Sequence, residues 1–256
     1  MSKLSKSDQF LDLSDYGRPI AKKVAFSLKN TPVTPIHVTL VFGICGVIAI
    51  YFILNNQFKL AAIFLILKSI IDAIDGELAR VKKTPSYSGR YLDSVFDIFL
   101  NALIFSAIGW ISNNSWWLVA LAFFSVQLQG TLYNFYYVIL RNQSLGGDRT
   151  SQIFENKRPK ALPGENQKLV NVLFTCYIIL YGLFDKIIQK LDTTAFKSTN
   201  FPSWFMSCLS LYGLGFQLLI IAIMLSMAFI HFIIPFFIVY NVFLLVLILI
   251  RKLSLN

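Results

Sequence analysis

Charge is scarce in this chain: Asp, Glu, Lys and Arg together make up 14% of 256 residues, against about a quarter in a soluble domain of average composition. Disorder, a coiled coil and a collagen-like repeat are all excluded, since the first two need abundant charge and the third needs glycine at every third position. Cysteine is rare as well. Cys45, Cys176 and Cys208 stand far apart in apolar surroundings, so neither a disulfide framework nor a zinc site can be read from them. The two histidines, His37 and His231, have no neighbour in sequence that suggests catalysis, and they read as a helix-start residue and an outer-turn residue. The N-terminal stretch is polar, and no long apolar run begins before Val38, so no cleavable signal peptide is expected.

What fills the chain instead is apolar: hydrophobic residues reach 56%. Runs suited to crossing a bilayer lie at Val38–Leu54, Leu60–Leu78, Leu92–Ile111, Trp116–Leu140, Trp204–Leu225 and Phe232–Ile250. A seventh stretch, Leu169–Phe184, has only 16 uncharged residues and contains Asn171, Thr175, Tyr177 and Tyr181. Basic residues decide between six spans and seven, because they stay in cytoplasmic loops. Six spans with both termini inside place 21 of the 23 Lys and Arg residues on the cytoplasmic side. A seventh would export Lys186, Lys190, Lys197, Arg251 and Lys252. The expected fold is an all-α integral membrane protein of six transmembrane helices, with Leu169–Leu191 as a helix at the interface or packed on the bundle.

The net charge of +10 fits this picture, because the basic residues flank apolar spans instead of forming one continuous surface. Anionic lipid headgroups are the expected partners and nucleic acid is not. Before the first span, Pro19 suits a first helical position, and Ile20, Ala21, Val24, Ala25 and Leu28 fall on one side with Lys22 and Lys29 opposite. Only Phe26 breaks the pattern of an amphipathic juxtamembrane helix. The chain thus divides into a cytoplasmic N-terminal segment, 1–34, and a transmembrane domain, 35–256. The longest polar segment, Gln143–Gln167, contains Gly146, Gly147, Pro159, Pro163 and Gly164 and either covers a site or connects two helices.

Five of the thirteen acidic residues, Asp72, Asp75, Glu77, Asp93 and Asp97, fall within 26 residues at the cytoplasmic ends of the second and third spans. Carboxylates at such positions are costly and point to function. Glu77 reads as a solvated helix end, whereas four regularly spaced aspartates do not. Asp72 and Asp75 are three apart and Asp93 and Asp97 four apart, so each pair shares a helical face and the two faces can meet. Four such carboxylates repel one another unless some are protonated or divalent cations lie between them. Oxygen ligands without histidine favour Mg²⁺, Mn²⁺ or Ca²⁺, and a two-metal phosphoryl-transfer site is the natural reading. Gly76 and Ala79 leave room for a phosphate-bearing ligand to approach, Arg80 supplies a charged fork, and Gly89 relieves crowding where the next helix begins.

The pattern Asp72-x2-Asp75-Gly76-x2-Ala79-Arg80-x8-Gly89-x3-Asp93-x3-Asp97 resembles the defining motif of the CDP-alcohol phosphotransferase family at all eight positions. The resemblance implies that Asp72, Asp75, Asp93 and Asp97 hold two divalent ions, usually Mg²⁺ with Mn²⁺ as an alternative, and that these bind the diphosphate of a CDP-linked donor. It implies that Gly76, Ala79, Arg80 and Gly89 belong to the binding site for cytidine diphosphate and that Asp97 is the general base. It also implies a homodimer and a role in phospholipid or polar-lipid synthesis, at the cytoplasmic side of what is expected to be a prokaryotic plasma membrane. The donor is either CDP-diacylglycerol with a small polyol, polyol phosphate or amino alcohol as acceptor, or a CDP-headgroup with a lipid alcohol. In one departure, the family's Pro-Asn-x-x-Thr run reads Pro35-Ile36-His37-Val38-Thr39 here, so the asparagine is lost.

Lys68, one turn before Asp72, is placed to pair with it or to meet an acceptor phosphate. Arg141 and Arg149 are further candidates for an anionic acceptor group, although positive-inside placement explains both. Tyr133, Tyr136 and Tyr137 read as core packing before cavity lining. The rival function is a divalent-cation channel or carrier using the intramembrane aspartates, against which stand Gly76, Ala79, Arg80 and Gly89.

Overall fold

In a computed structural model that describes residue 4 and residues 8–143, 151–198 and 201–254, every regular element is helical. A turn at Leu13–Asp15 leads into α1 (Arg18–Ser27), α2 (Pro35–Leu54), α3 (Phe58–Lys82), α4 (Tyr87–Ile111), α5 (Trp116–Gln143) and α6 (Gln167–Leu191). Then follow α7 (Ser203–Ser210), α8 (Leu214–Ser226), α9 (Ile230–Tyr240) and α10 (Val242–Ser254).

Local chemistry sets the boundaries nearest the acidic cluster. At the start of α2 the Thr34 hydroxyl accepts the His37 N–H at 3.3 Å and His37 Nδ1 accepts the Thr34 N–H at 3.2 Å, a reciprocal cap followed by Pro35. α3 stops where Lys83 turns left-handed with φ 56°. The preceding Lys82 ammonium donates to the carbonyls of Thr31 at 2.6 Å and Val33 at 2.7 Å, fastening the end of α3 to the segment ahead of α2.

α1 lies on α3 through Ala21 and Ala25, with Val24 and Leu28 beside them. Ile20 departs from the expected apolar face: it is half exposed, as is Phe26 more fully. Two small alanines let the helices approach closely, which narrows the contact so that Ile20, about 100° around the helix from Ala21, is left outside it. α2 packs on both α3 and α4. Gly43 and Gly46 allow this, since a Cβ at either would come within 2.9 Å of Phe96 or 2.8 Å of Leu100 on α4.

Among the described residues, five helices are long and apolar enough to cross a membrane: α2, α4, α5, α6 and the nearly continuous α9–α10, Ile230–Leu253. α7 and α8, bent by 47° at their break, make a sixth candidate. Length and hydropathy thus select α6 and pass over α3, the reverse of the expectation from sequence, because α3 carries seven charged residues along its 25. Contacts at the ends of α6 add a constraint. Just before it, Glu165 accepts from Ser86 and Ser88 where α4 begins. Just after it, the Ser198 carbonyl accepts from Gln143, the last residue of α5, at 2.6 Å, and Asp192 is bound by Tyr136 and Arg251. α4 and α5 form a hairpin through the short connection 112–115, so the start of one and the end of the other lie together. The start of α6 is therefore tied to the start of α4, and the segment after it to the end of α5.

Candidate active site

The motif residues sit on α3 and α4, which α2 holds on either side of itself, and the aspartates reach toward each other from the two helices. Among the described residues, one carboxylate oxygen from each of Asp72, Asp75 and Asp93 lies within 4.8 Å of the others. Asp97, one turn along α4 from Asp93, stands outside this triplet. It is held instead by Lys68, whose fully buried ammonium ion-pairs with Asp97 Oδ1 and lies 4.9 Å from the centre of the Phe42 ring. Lys68 thus pairs across to α4, not along α3 to Asp72 as the turn spacing suggested.

Asp75 is fixed from the third helix: the Thr39 hydroxyl on α2 donates to Asp75 Oδ2 at 2.8 Å. Asp93 Oδ1 is buried and has no hydrogen-bond partner among the described residues. Three clustered carboxylates with an open oxygen suit a hard divalent cation, which takes oxygen ligands and offsets their mutual repulsion. The donor set fits Mg²⁺ or Mn²⁺, and no sulfur or imidazole belongs to it.

All four aspartates open onto a cavity of about 400 Å³, and Gly76 and Arg80 line it too. The Arg80 guanidinium lies over Gly76 and pairs with Glu77 at 2.8 Å. Ala79 and Gly89 stand outside the lining. Gly89 is at the third position of α4, where its N–H donates to the capping Ser86 hydroxyl at 2.8 Å.

Glu77 corrects its sequence reading. It is buried, not a solvated helix end, because α1 folds over it and brings Arg18 Nε to 3.6 Å from Oε1, the oxygen that Arg80 also pairs with at 2.8 Å. Arg18 also pairs with Asp15 and lines the cavity. Arg141, Tyr133 and Tyr137 line it as well, whereas Tyr136 is a core residue whose hydroxyl donates to Asp192 at 2.5 Å. Arg149 lies outside the described residues, as do Gly146 and Gly147.

Sequence reasoning gave no role to Thr39, Phe42, Asp12 or Glu165. Thr39 was visible as the threonine of the altered Pro-x-x-x-Thr run, and its bond to Asp75 gives that position a purpose. Ile36, in place of the asparagine, is partly exposed and offers no polar contact. Asp12 accepts from Tyr133 at 2.7 Å and from Ser14 at 2.6 Å, tying the N-terminal turn to α5 at the cavity wall. That turn rests on bare backbone at the α7–α8 break, where a Cβ on Gly215 would fall 1.9 Å from the Ser14 carbonyl oxygen.

Outside the cavity, Glu165 anchors the segment before α6. It accepts from the Ser86 hydroxyl at 2.8 Å and from the backbone N–H groups of Ser88 at 2.7 Å and Leu162 at 3.0 Å. Partial burial pushes its carboxyl up, but these donors outweigh that and hold it below the usual glutamate range.

Comparison with known proteins agrees with the geometry. Two proteins named bifunctional IPC transferase and DIPP synthase are similar to this chain. The one from Thermococcus kodakarensis is 36% identical over 91 residues, covering 35% of this chain and 21% of that protein. The one from Aquifex aeolicus is 29% identical over 138 residues, covering 49% of this chain and 31% of that protein. This chain therefore matches about a fifth to a third of the length of these relatives. The profile of CDP-alcohol phosphatidyltransferases matches residues 33–196, from the segment ahead of α2 to beyond α6 and including every motif residue. With apolar helices in number, an acidic cluster between two of them and a family match over more than half its length, this multi-pass membrane protein belongs to the CDP-alcohol phosphatidyltransferase family.

Proposed function

We propose that the protein transfers a phosphoalcohol or phosphatidyl group from a CDP-linked donor to an alcohol acceptor, with release of CMP. The observation that supports this most is the convergence of Asp72, Asp75 and Asp93 on one point of a cavity that Asp97 and Arg80 also line. Asp72, Asp75, Asp93 and Asp97 are the residues that would hold two divalent ions, Mg²⁺ by preference. When bound, the ions neutralise charge on the diphosphate and on the leaving group.

The chain's own groups do the rest. Gly76 leaves open backbone beside the cluster, with Ala79 on the same face and Gly89 at the head of α4 completing the motif. Arg80 and Arg18, both at the cavity wall, supply positive charge toward the nucleotide phosphates. Asp97 accepts the proton of the acceptor hydroxyl, whose oxygen forms a bond to the phosphorus distal to cytidine as the bond from that phosphorus to the CMP oxygen breaks. In this reading residues 1–34 lie on the cytoplasmic face and 35–256 form the embedded domain, crossing six times with α6 packed against the cytoplasmic end. Two chains form the working unit, in a prokaryotic plasma membrane.

The test is Mg²⁺-dependent CMP release from a panel of CDP-linked donors by purified protein, wild type against Asp97→Asn. CMP that requires both metal and Asp97 is the expected result. No CMP with any donor and acceptor pair, from folded protein that binds Mg²⁺, would overturn the proposal and favour cation transport.

A further inference from the structure

Beyond the carboxylates the cavity continues into an end to which the proposed chemistry gives no work. Its lining there includes Ser69 on α3, Asn101 on α4, Gln127 and Thr131 on α5, and Gln217 on α8. All five are buried, Gln127 to 5% exposure and Thr131 to 6%. Val126 and Leu214 add apolar surface to the same lining.

Two of these groups are uncommitted. Among the described residues, the Gln127 amide nitrogen and the Thr131 hydroxyl have no hydrogen-bond partner. They are four apart on α5 and so share a face, which is the face lining the cavity. Gln217 is different: its amide donates to the Val126 carbonyl at 3.2 Å and to Gln129 Oε1 at 3.1 Å, so it closes the wall. Buried polar groups are ordinarily paired, and open ones on a cavity wall select a ligand able to pair with them.

Position and charge narrow that ligand. Asn101 is one turn along α4 from Asp97, so this wall begins beside the proposed base. The cavity's arginines, Arg18, Arg80 and Arg141, come from the start of α1 and the final turns of α3 and α5, at the opposite end. Lys68, the nearest cation, is committed to Asp97. A phosphate ester placed here would lie away from the cavity's arginines, beside a lysine already paired with Asp97. A lipid alcohol would leave the amides and hydroxyls against hydrocarbon.

We propose that Gln127 and Thr131, with Asn101, bind the acceptor, and that the acceptor is a small, uncharged, polyhydroxylated alcohol. This rests on the transfer reading above and chooses among the acceptors that reading leaves open.

The experiment uses the full chain in lipid nanodiscs with Mg²⁺. CMP release from CDP-dioleoylglycerol is followed with glycerol, myo-inositol and glycerol 3-phosphate, and from CDP-ethanolamine with dioleoylglycerol. An uncharged polyol is expected to be the best acceptor by about tenfold in kcat/KM, and Gln127→Leu and Thr131→Val are each expected to raise its KM about tenfold while the donor KM moves less than about twofold. Thr131→Ser keeps the hydroxyl and separates hydrogen bonding from packing: a KM near wild type supports the proposal, and one as high as that of Thr131→Val overturns it. Preference for the phosphate ester or the lipid alcohol would also overturn it, with the transfer reading left standing. CMP from no pair would remove the transfer reading itself and this assignment with it.

Discussion

Lys68 on α3 and Asp97 on α4 form an ion pair between the two motif helices, with the ammonium fully buried and set against the Phe42 ring. Each charge is tolerated in that position only because of the other, and the aromatic face adds a smaller attraction. Lys68→Met should therefore destabilise the protein by about 3 kcal/mol, the scale of leaving a buried charge without its partner. Adding Asp97→Asn should restore most of that loss. Denaturation of the two single variants and the double variant in detergent measures the coupling. Equal destabilisation by Lys68→Met with and without Asp97→Asn would show that the two side chains act independently.

Thr39 acts through Asp75. Its hydroxyl orients the carboxylate at 2.8 Å, and loss of such a supporting bond weakens metal binding by about 10-fold or more. Thr39→Val is expected to raise the Mg²⁺ concentration for half-maximal CMP release by about that factor, and Thr39→Ser to leave it near wild type. Binding of Mn²⁺ followed by electron paramagnetic resonance gives the same comparison without turnover. Identical metal affinity in Thr39→Val would remove the role.

Glu165 makes docking of the segment ahead of α6 depend on pH. Its carboxyl is held below the usual range in the folded state, so the unfolded state binds the proton more readily and stability is lost as pH falls. The contribution is fully present above the ordinary glutamate value of about 4.3 and fades below it. Hydrogen exchange at the Ser88 and Leu162 amides should accelerate across that acid window in the wild type. In Glu165→Gln the exchange should be nearly independent of pH beyond the intrinsic rate; an unchanged acid dependence in the variant would assign it to another group.

In the ion pair of Asp192 with Arg251 both side chains are buried, and Tyr136 completes its hydrogen bonds. Arg251→Met should cost about 3–5 kcal/mol. Changing Asp192→Asn at the same time should recover part of it. A loss below about 0.5 kcal/mol, read from thermal unfolding, would mean that the pair is matched by other contacts.

The carboxylate cluster was legible in sequence because helical spacing fixes which residues share a face, and Asp72, Asp75 and Asp93 needed only that rule and an antiparallel hairpin. The partner of Lys68 was not legible, since a turn's spacing points to Asp72 whereas packing of α2 against both motif helices presents Asp97. Glu77 failed for a similar reason: α1, which is remote in sequence, covers it and adds a second arginine, Arg18, to the local Arg80. α6 and α3 show that hydropathy and position need not agree. An apolar segment is long enough to span wherever it packs, and a charged one can line a polar interior. Gln127 and Thr131 looked like ordinary polar interruptions of an apolar helix, and only the cavity distinguishes them.

The clasp between Asp192 and Arg251 joins positions 59 residues apart. During synthesis the aspartate emerges first, and at ribosomal speed its arginine follows several seconds later. Until then the far end of α6 carries a carboxylate with no guanidinium to receive it. That end of the bundle is thus secured by one of the last parts of the described chain to be made, and the order of assembly is written into the distance between two charges.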